Sequence, residues 1–253
     1  MSTFSNDHVA LVTGSSLGIG AAAAKAFAAQ GARVAVHYNS SADAAEKIVA
    51  EIQAAGGEAK AFKADVSDAA EARALAPAVI EHFGRLDSLV NNAGSLVDRR
   101  MFAEIDDDFW RTVIDVNMSS VLWVSQPAVE HMRQRGAGAI VNLGSIAGHN
   151  GGGPGAMPYA MTKAAVTAIT KGMARELIAD GIRVNAVNPG VILTPFHERF
   201  SSEERMNAMV SQIPQGRAGV PDECASVLTF LASDAASHIV GESIEVNGGM
   251  LMD

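Results

Sequence analysis

Residues 9–20 read VALVTGSSLGIG, and residues 21–30 continue AAAAKAFAAQ. Four apolar residues, β-branched at both ends, predict a buried strand over 9–12. The glycine-rich Thr13-Gly14-Ser15-Ser16-Leu17-Gly18-Ile19-Gly20 follows at once, and the alanine-heavy run behind it predicts a helix that Gly31 closes. A turn of this kind lets backbone N–H groups approach a pyrophosphate, with the helix N-terminus adding its partial positive charge. The plainer alternative is a tight turn with no ligand. A sharper rival sits in the same residues. Gly14-Ser15-Ser16-Leu17-Gly18 also fits the G-x-S-x-G elbow of a serine hydrolase, with Ser16 as nucleophile and His197 or His238 downstream. That reading lacks an upstream strand and loop to supply the oxyanion hole.

Outward from this stretch the chain keeps alternating. Further strands are predicted at 34–36, 59–63, 86–90, 139–143, 183–187 and 243–246. Helices are predicted at 42–55, 69–82, 107–135 with a bend near Pro127, 159–179 and 225–231. Such alternation implies a doubly wound α/β fold, its parallel strands joined by right-handed crossovers and its helices covering both faces. The whole of 1–253 reads as one domain. Two stretches break the rhythm, 148–158 and 195–221, the second with its own short helix near 202–211. Irregular segments that long are usually functional, and both leave the sheet at the carboxyl edge where ligands sit.

Composition narrows the partners. Acidic residues outnumber basic ones 28 to 19, a net charge of −9, which argues against nucleic acid or an anionic membrane. A single Cys224 excludes an intramolecular disulfide framework and a cysteine-rich zinc site. No apolar run is long enough to span a bilayer, and residues 1–8 lack a signal-peptide pattern, so a cytoplasmic globular protein is expected. No metal is expected either: Asp106-Asp107-Asp108 reads as a helix cap, and no histidine pair has zinc spacing.

Chemistry enters with Tyr159-Ala160-Met161-Thr162-Lys163, a phenol and an ammonium one helical turn apart on one face. Ser145 ends the 139–143 strand at the edge where that helix begins, so the three can converge. With Thr13-Gly14…Gly18-Ile19-Gly20, Asn91-Asn92-Ala93-Gly94, Asn117, Pro189-Gly190 and Asn247-Gly248-Gly249 in the same order, the chain resembles the short-chain dehydrogenase/reductase family from end to end. The resemblance implies a Rossmann-type, seven-stranded parallel sheet, a nicotinamide cofactor and a homotetramer. It makes Tyr159 the acid/base, Lys163 the holder of the nicotinamide ribose, Ser145 a partner of the reacting oxygen, and Asn117 the holder of a proton-relay water. Asp65, with Val66 beside it, would reach the adenine. Asn92, Ala93 and Gly94 would floor the adenosine ribose, while Pro189, Gly190, Ile192 and Thr194 would grip carboxamide and pyrophosphate.

Elementary electrostatics bears on the central pair. A cation about 4 Å from the phenol, at an effective dielectric near 20, favours phenolate by about 4 kcal/mol, roughly three pKa units. On that figure Tyr159 is expected close to working pH, where acid–base catalysis is most effective.

The acid that accepts the ribose 2′-OH of NAD in dinucleotide folds is missing: its position is Tyr38, followed by the neutral Asn39, Ser40 and Ser41. NADP(H) is therefore expected over NAD(H), although Leu17 and Arg33 provide no obvious cation for the extra phosphate. The expected substrate is a small polar ketone, sugar or polyol, with His149, Asn150, His197, Glu198 and Arg199 as hydrogen-bonding groups. A 3-oxoacyl-(acyl-carrier-protein) substrate is the leading alternative. It needs a basic patch such as Arg99, Arg100, Arg133 and Arg135, against which stand Asp180 and the net charge. A nucleotide-binding protein without activity would be marked by loss of Ser145, Tyr159 or Lys163, and all three are present.

Overall fold

The computed structural model describes residues 3–252; Met1, Ser2 and Asp253, which the one-domain expectation includes, lie outside the described residues. The elements run β1 (Val9–Val12), α1 (Gly18–Ala29), β2 (Arg33–Tyr38), α2 (Ala42–Ala54), β3 (Ala59–Lys63), α3 (Ala69–Phe83), β4 (Ser88–Asn91), α4 (Asp107–Ile114), α5 (Ser120–Arg135), β5 (Gly138–Leu143) and α6 (Ala147–Asn150). They continue with α7 (Met157–Leu177), β6 (Ile182–Pro189), α8 (Pro195–Phe200), α9 (Glu203–Val210), α10 (Pro221–Ala232) and β7 (Ser243–Val246). All strands pair in parallel in one seven-stranded sheet of order β3-β2-β1-β4-β5-β6-β7. This is the doubly wound α/β sheet that the alternation and the family resemblance predict.

The unbroken apolar runs follow from burial on both faces. In β1, Ala10 and Val12 join a core with Phe27 of α1, Ile48 of α2 and Leu228 of α10, while Val9 and Leu11 point the other way. On that second face they meet Leu75 and Val79 of α3, Met132 of α5 and Leu177 of α7. Each such fully buried side chain contributes about 1.5–3 kcal/mol of transfer free energy. A third, small cluster stands apart: Val191, Ile213 and Ala218 pack with Met206, Met209 and Val210 of α9 and with Met250. Neither α8 nor α9 contributes a fully buried residue. Among the described residues no helix is long and apolar enough to cross a membrane.

Asp106 caps α4, its carboxylate accepting from the Phe109 N–H at 2.8 Å, which is the role its sequence position suggests. Two expectations need correction. The helix predicted at 107–135 is not continuous: a π turn at Asp115–Ser119 divides it, and Pro127 lies within the second part, α5. There the Asn117 amide donates to the Val113 carbonyl at 2.9 Å, a partner that a regular helix gives to a backbone N–H. The segment 195–221 carries two short helices, α8 and α9, where one was expected.

Candidate active site

The strand order reverses at β1, which leads outward to β2 and β3 before the chain returns to β4 on its other side. Above the carboxyl ends of these strands, where such folds place their ligands, opens a cavity of about 900 Å³. Gly14, Ser16, Leu17, Gly18 and Ile19 line it from the first turn, with Tyr38 and Asn39 from the end of β2. Asp65 and Val66 follow β3, Asn92, Ala93 and Gly94 follow β4, and Pro189, Gly190, Ile192 and Thr194 follow β6. Ser40, expected beside Asn39, is exposed and outside the lining, because the chain bends away once β2 has ended.

The glycine turn is fastened from both neighbouring strands. On one side the Thr13 hydroxyl accepts from the N–H groups of Asn92 and Ala93, at 2.9 and 3.0 Å, and the Asn92 amide donates to the carbonyls of Thr13 and Gly14. On the other, Nδ1 of His37 accepts from the Gly14 N–H at 2.8 Å, and Nε2 bonds the Ala64 carbonyl at 3.0 Å. An Nδ1 that accepts must be bare, so the ring is neutral with its proton on Nε2. Burial lowers the pKa of His37 and keeps it so.

The α1 N-terminus has no side-chain cap, leaving its first amides free for an anion. A Cβ at Gly20 would meet the Gly14 carbonyl oxygen at 2.4 Å, so only glycine permits this approach of helix to turn. An uncapped helix start, a cradle without side chains and a cavity running past both strand ends fit an extended dinucleotide.

Farther along the same cavity stand Ser145, Tyr159 and Lys163. Ser145 hydrogen-bonds to the Tyr159 hydroxyl, and Lys163 Nζ donates to the Leu143 carbonyl at 2.7 Å, lying 5.7 Å from the Tyr159 ring centroid. The expected fall in the phenol pKa is absent. Burial raises Tyr159 to about 12, only partly offset by Ser145, and lowers Lys163 to about 8. The simple charge–charge estimate omitted desolvation, which disfavours phenolate and ammonium alike. At neutral pH burial favours the protonated phenol.

Asn117, fully buried, does not line the cavity. Its Oδ1 accepts from the Ser95 N–H at 3.0 Å, and its amide donates to the carbonyls of Ser95 and Val113. The side chain is engaged in fixing the turn after β4. A Cβ at Gly94 would sit 2.8 Å from that Oδ1 and 3.3 Å from Lys163 Nζ, so this turn closes directly over the lysine.

The groups expected to meet substrate divide: Arg199 lines the cavity and the exposed Glu198 does not. Asn150 and His197 line the cavity, whereas His149 turns toward β6 and β7, its Nε2 lying 3.1 Å from the Asn188 amide and 3.4 Å from a Glu245 oxygen. Lining residues not anticipated as substrate contacts include Arg99, Phe196, Phe200 and Arg205. Only the paired arginines at 99–100 gave a signal, and that was read as a carrier-docking patch. The hydrolase alternative finds no support here. Ser16 has no histidine partner among the described residues, and the nearby His37 ring is engaged at both nitrogens.

A doubly wound parallel sheet with a glycine turn at its switch point and a serine–tyrosine–lysine group in the same cleft defines a dinucleotide-binding oxidoreductase. The chain belongs to the short-chain dehydrogenase/reductase family. The family model that matches residues 14–251 is described as enoyl-(acyl carrier protein) reductase. The chain is 44% identical over 243 residues to the 3-oxoacyl-(acyl-carrier-protein) reductase of Staphylococcus aureus, covering 96% of this chain and 98% of that one. It is similar in structure to a protein of Agrobacterium tumefaciens described as a gluconate dehydrogenase, with TM-score 0.93, 32% identity and coverage of 100% and 99%. A short-chain dehydrogenase of Burkholderia cenocepacia, solved in complex with NADP, gives TM-score 0.89 at 35% identity, covering 96% of this chain and 98% of that one.

Proposed function

We propose that this protein is an NADP(H)-preferring oxidoreductase that interconverts a ketone and a secondary alcohol on a small polar substrate. The observation that carries the reading is the Tyr159 hydroxyl, hydrogen-bonded to Ser145 and kept protonated by burial beside Lys163. When bound, a reduced nicotinamide supplies the hydride. Tyr159 gives its proton to the carbonyl oxygen, while the Ser145 hydroxyl holds that oxygen in line. Lys163, anchored on the Leu143 carbonyl, holds the nicotinamide ribose and balances charge as the phenol loses its proton. Asn117 acts by holding the Ser95 turn against the lysine. Asp65 serves the adenine side; its carboxylate accepts from Ser67 and from the Asn39 amide, which keeps it ionised.

The cofactor preference rests on the end of β2. No acid stands there, and the β2–β3 ladder sets the exposed Lys63 beside Tyr38, without a carboxylate within ion-pair reach among the described residues. Arg33 is directed away, onto the Asp7 carbonyl and over the Phe83 ring. Replacing Tyr159 with Phe removes one hydroxyl and leaves fold and cofactor binding nearly intact, so turnover of NADPH over a panel of ketones falls by orders of magnitude. Wild-type turnover by that variant overturns the mechanism.

A carrier-borne 3-oxoacyl substrate is a second reading, favoured by the likeness to the Staphylococcus aureus reductase. Against it, three of the four arginines considered for docking are tied to carboxylates: Arg100 to Asp106, Arg133 to Asp180 and Arg135 to Asp87. For the assembly we propose a homotetramer with two-fold interfaces over α5 and α7, whose surface shows exposed Leu122 and Met157. A monomeric mass in light scattering at micromolar concentration refutes it.

A further inference from the structure

Beyond the phenol the cavity runs under α8 and α9, and its wall there is shared with a second hollow. Arg99, from the turn after β4, and Arg199 and Arg205, from α8 and α9, line both. Among the described residues none of the three has a carboxylate within ion-pair reach, and unlike the similarly unpaired Arg33, Arg73, Arg111, Arg175 and Arg183 they stand together on one hollow. Glu204 stands on the rim of the hollow, and the exposed Glu198 and Glu203 flank it in sequence, yet none of these acids engages an arginine.

Arg99 is partly buried and held in place: Nε donates to the Phe200 carbonyl at 2.8 Å and Nη1 to the Pro154 carbonyl at 2.9 Å. Nη2 has no protein acceptor among the described residues. Arg205 is close enough for its charge to lower the pKa of Arg99, and the Arg99 charge, after burial, lowers that of His197. Like charges gathered in a partly dry wall of an acidic protein are costly unless an anion joins them. The guanidinium fork is the group that matches a planar oxyanion.

The wall also sets a distance. The Tyr159 ring meets Phe196 at 5.7 Å between centroids, Phe196 meets Phe200 at 5.1 Å, and the Arg199 guanidinium stacks on Phe200 at 5.0 Å. An aromatic surface therefore separates the proton donor from the cations. Resting on the oxidoreductase reading above, we propose that the substrate is an anion, whose carboxylate or phosphate is held by Arg99 and Arg205 with Arg199 at the mouth, several bonds from the carbon that Tyr159 serves.

The test compares matched pairs that differ only in charge, with NADPH as reductant. Oxo carboxylates with two to four bonds between ketone and acid are set against their methyl esters, and acetoacetyl phosphopantetheine against acetoacetyl pantetheine. In at least one pair the anion is expected to exceed its neutral partner about tenfold or more in kcat/KM. Which pair responds separates a small oxo acid from a carrier arm. Arg205→Gln, whose side chain makes no hydrogen bond to the fold among the described residues, and Arg99→Gln each lower the anion:neutral ratio about 10- to 100-fold. Arg99→Lys keeps the charge without the fork and falls between.

A second readout needs no turnover: glutarate and inorganic phosphate are titrated into enzyme with NADP+ while melting is followed. One of them raises Tm in the wild type and does so less in Arg205→Gln. Equal rates within every pair together with no anion-dependent rise in Tm overturn the anion site, as does a ratio unchanged in both glutamine variants. Absent turnover with the rise intact supports the anion site and faults the oxidoreductase reading alone.

Discussion

Replacing His37 with Phe tests the argument that the glycine turn is held from the β2 side. The substitution keeps a planar ring in the strand but strands two groups, the part-buried Gly14 N–H and the buried Ala64 carbonyl, which His37 meets at 2.8 and 3.0 Å. Each group left unpaired costs about 1–3 kcal/mol, so about 2–5 kcal/mol is expected after partial relaxation of the turn. For a domain of this size that lowers Tm by roughly 5–15 °C. The loosened turn also raises the KM for cofactor more than it lowers kcat. His37→Asn, whose carbonyl oxygen can take the place of Nδ1, recovers part of both losses. The contribution of His37 depends on pH in a definite direction. Burial lowers its folded pKa from 6.5, so below that value the unfolded chain binds a proton that the native ring refuses. The stabilisation is full above pH 6.5 and shrinks as pH falls, by at most about 1.4 kcal/mol per pH unit. Thermal and urea unfolding of both proteins between pH 5.5 and 8 therefore shows a gap that narrows on acidification. The difference removes the shared effects of His8, His131 and His197, whose pKa values burial also lowers. A variant melting within a degree of wild type, or a gap that ignores pH, refutes the reasoning.

Two further outcomes follow from the site. With Tyr159 raised to about 12 and Lys163 lowered to about 8, the reductive rate is expected to stay nearly level from pH 6 to 7.5 while the oxidative rate climbs through pH 9. Initial rates in both directions at saturating substrate check this, and an oxidative optimum at or below neutrality contradicts it. Tyr38→Asp introduces the missing carboxylate at the end of β2 and should reverse the order of kcat/KM from NADPH over NADH to the opposite; a wild type that already favours NADH shows the absent acid was over-read.

The parts of this molecule legible in the sequence are those written in consecutive residues. The strand, turn and helix at 9–29, and the Tyr159 and Lys163 pair on one helical face, need only backbone geometry to be recognised. What escaped depends on partners brought from elsewhere. In the π turn the Asn117 side chain is bonded to Ser95 on the turn after β4, and no periodicity in 107–135 announces it. His37 looks like an interruption of an apolar strand until its two ring nitrogens are seen to join β1's turn to the end of β3. His149 follows Ser145 closely but is drawn off by Asn188 and Glu245 on other strands. The pKa of Tyr159 depends on how dry its surroundings are, which spacing along a helix does not record.

The separate apolar cluster around α9 has an evolutionary corollary. Because Val191, Ile213 and Ala218 pack with the methionines there and not with the cores on either sheet face, that cover is a replaceable module. Mutations in it can trade one recognition surface for another while the scaffold keeps its margin of stability, since few shared contacts transmit the damage. A lineage can thus diversify, or a laboratory graft in a foreign 203–210 segment, without re-solving the folding problem of the rest of the chain.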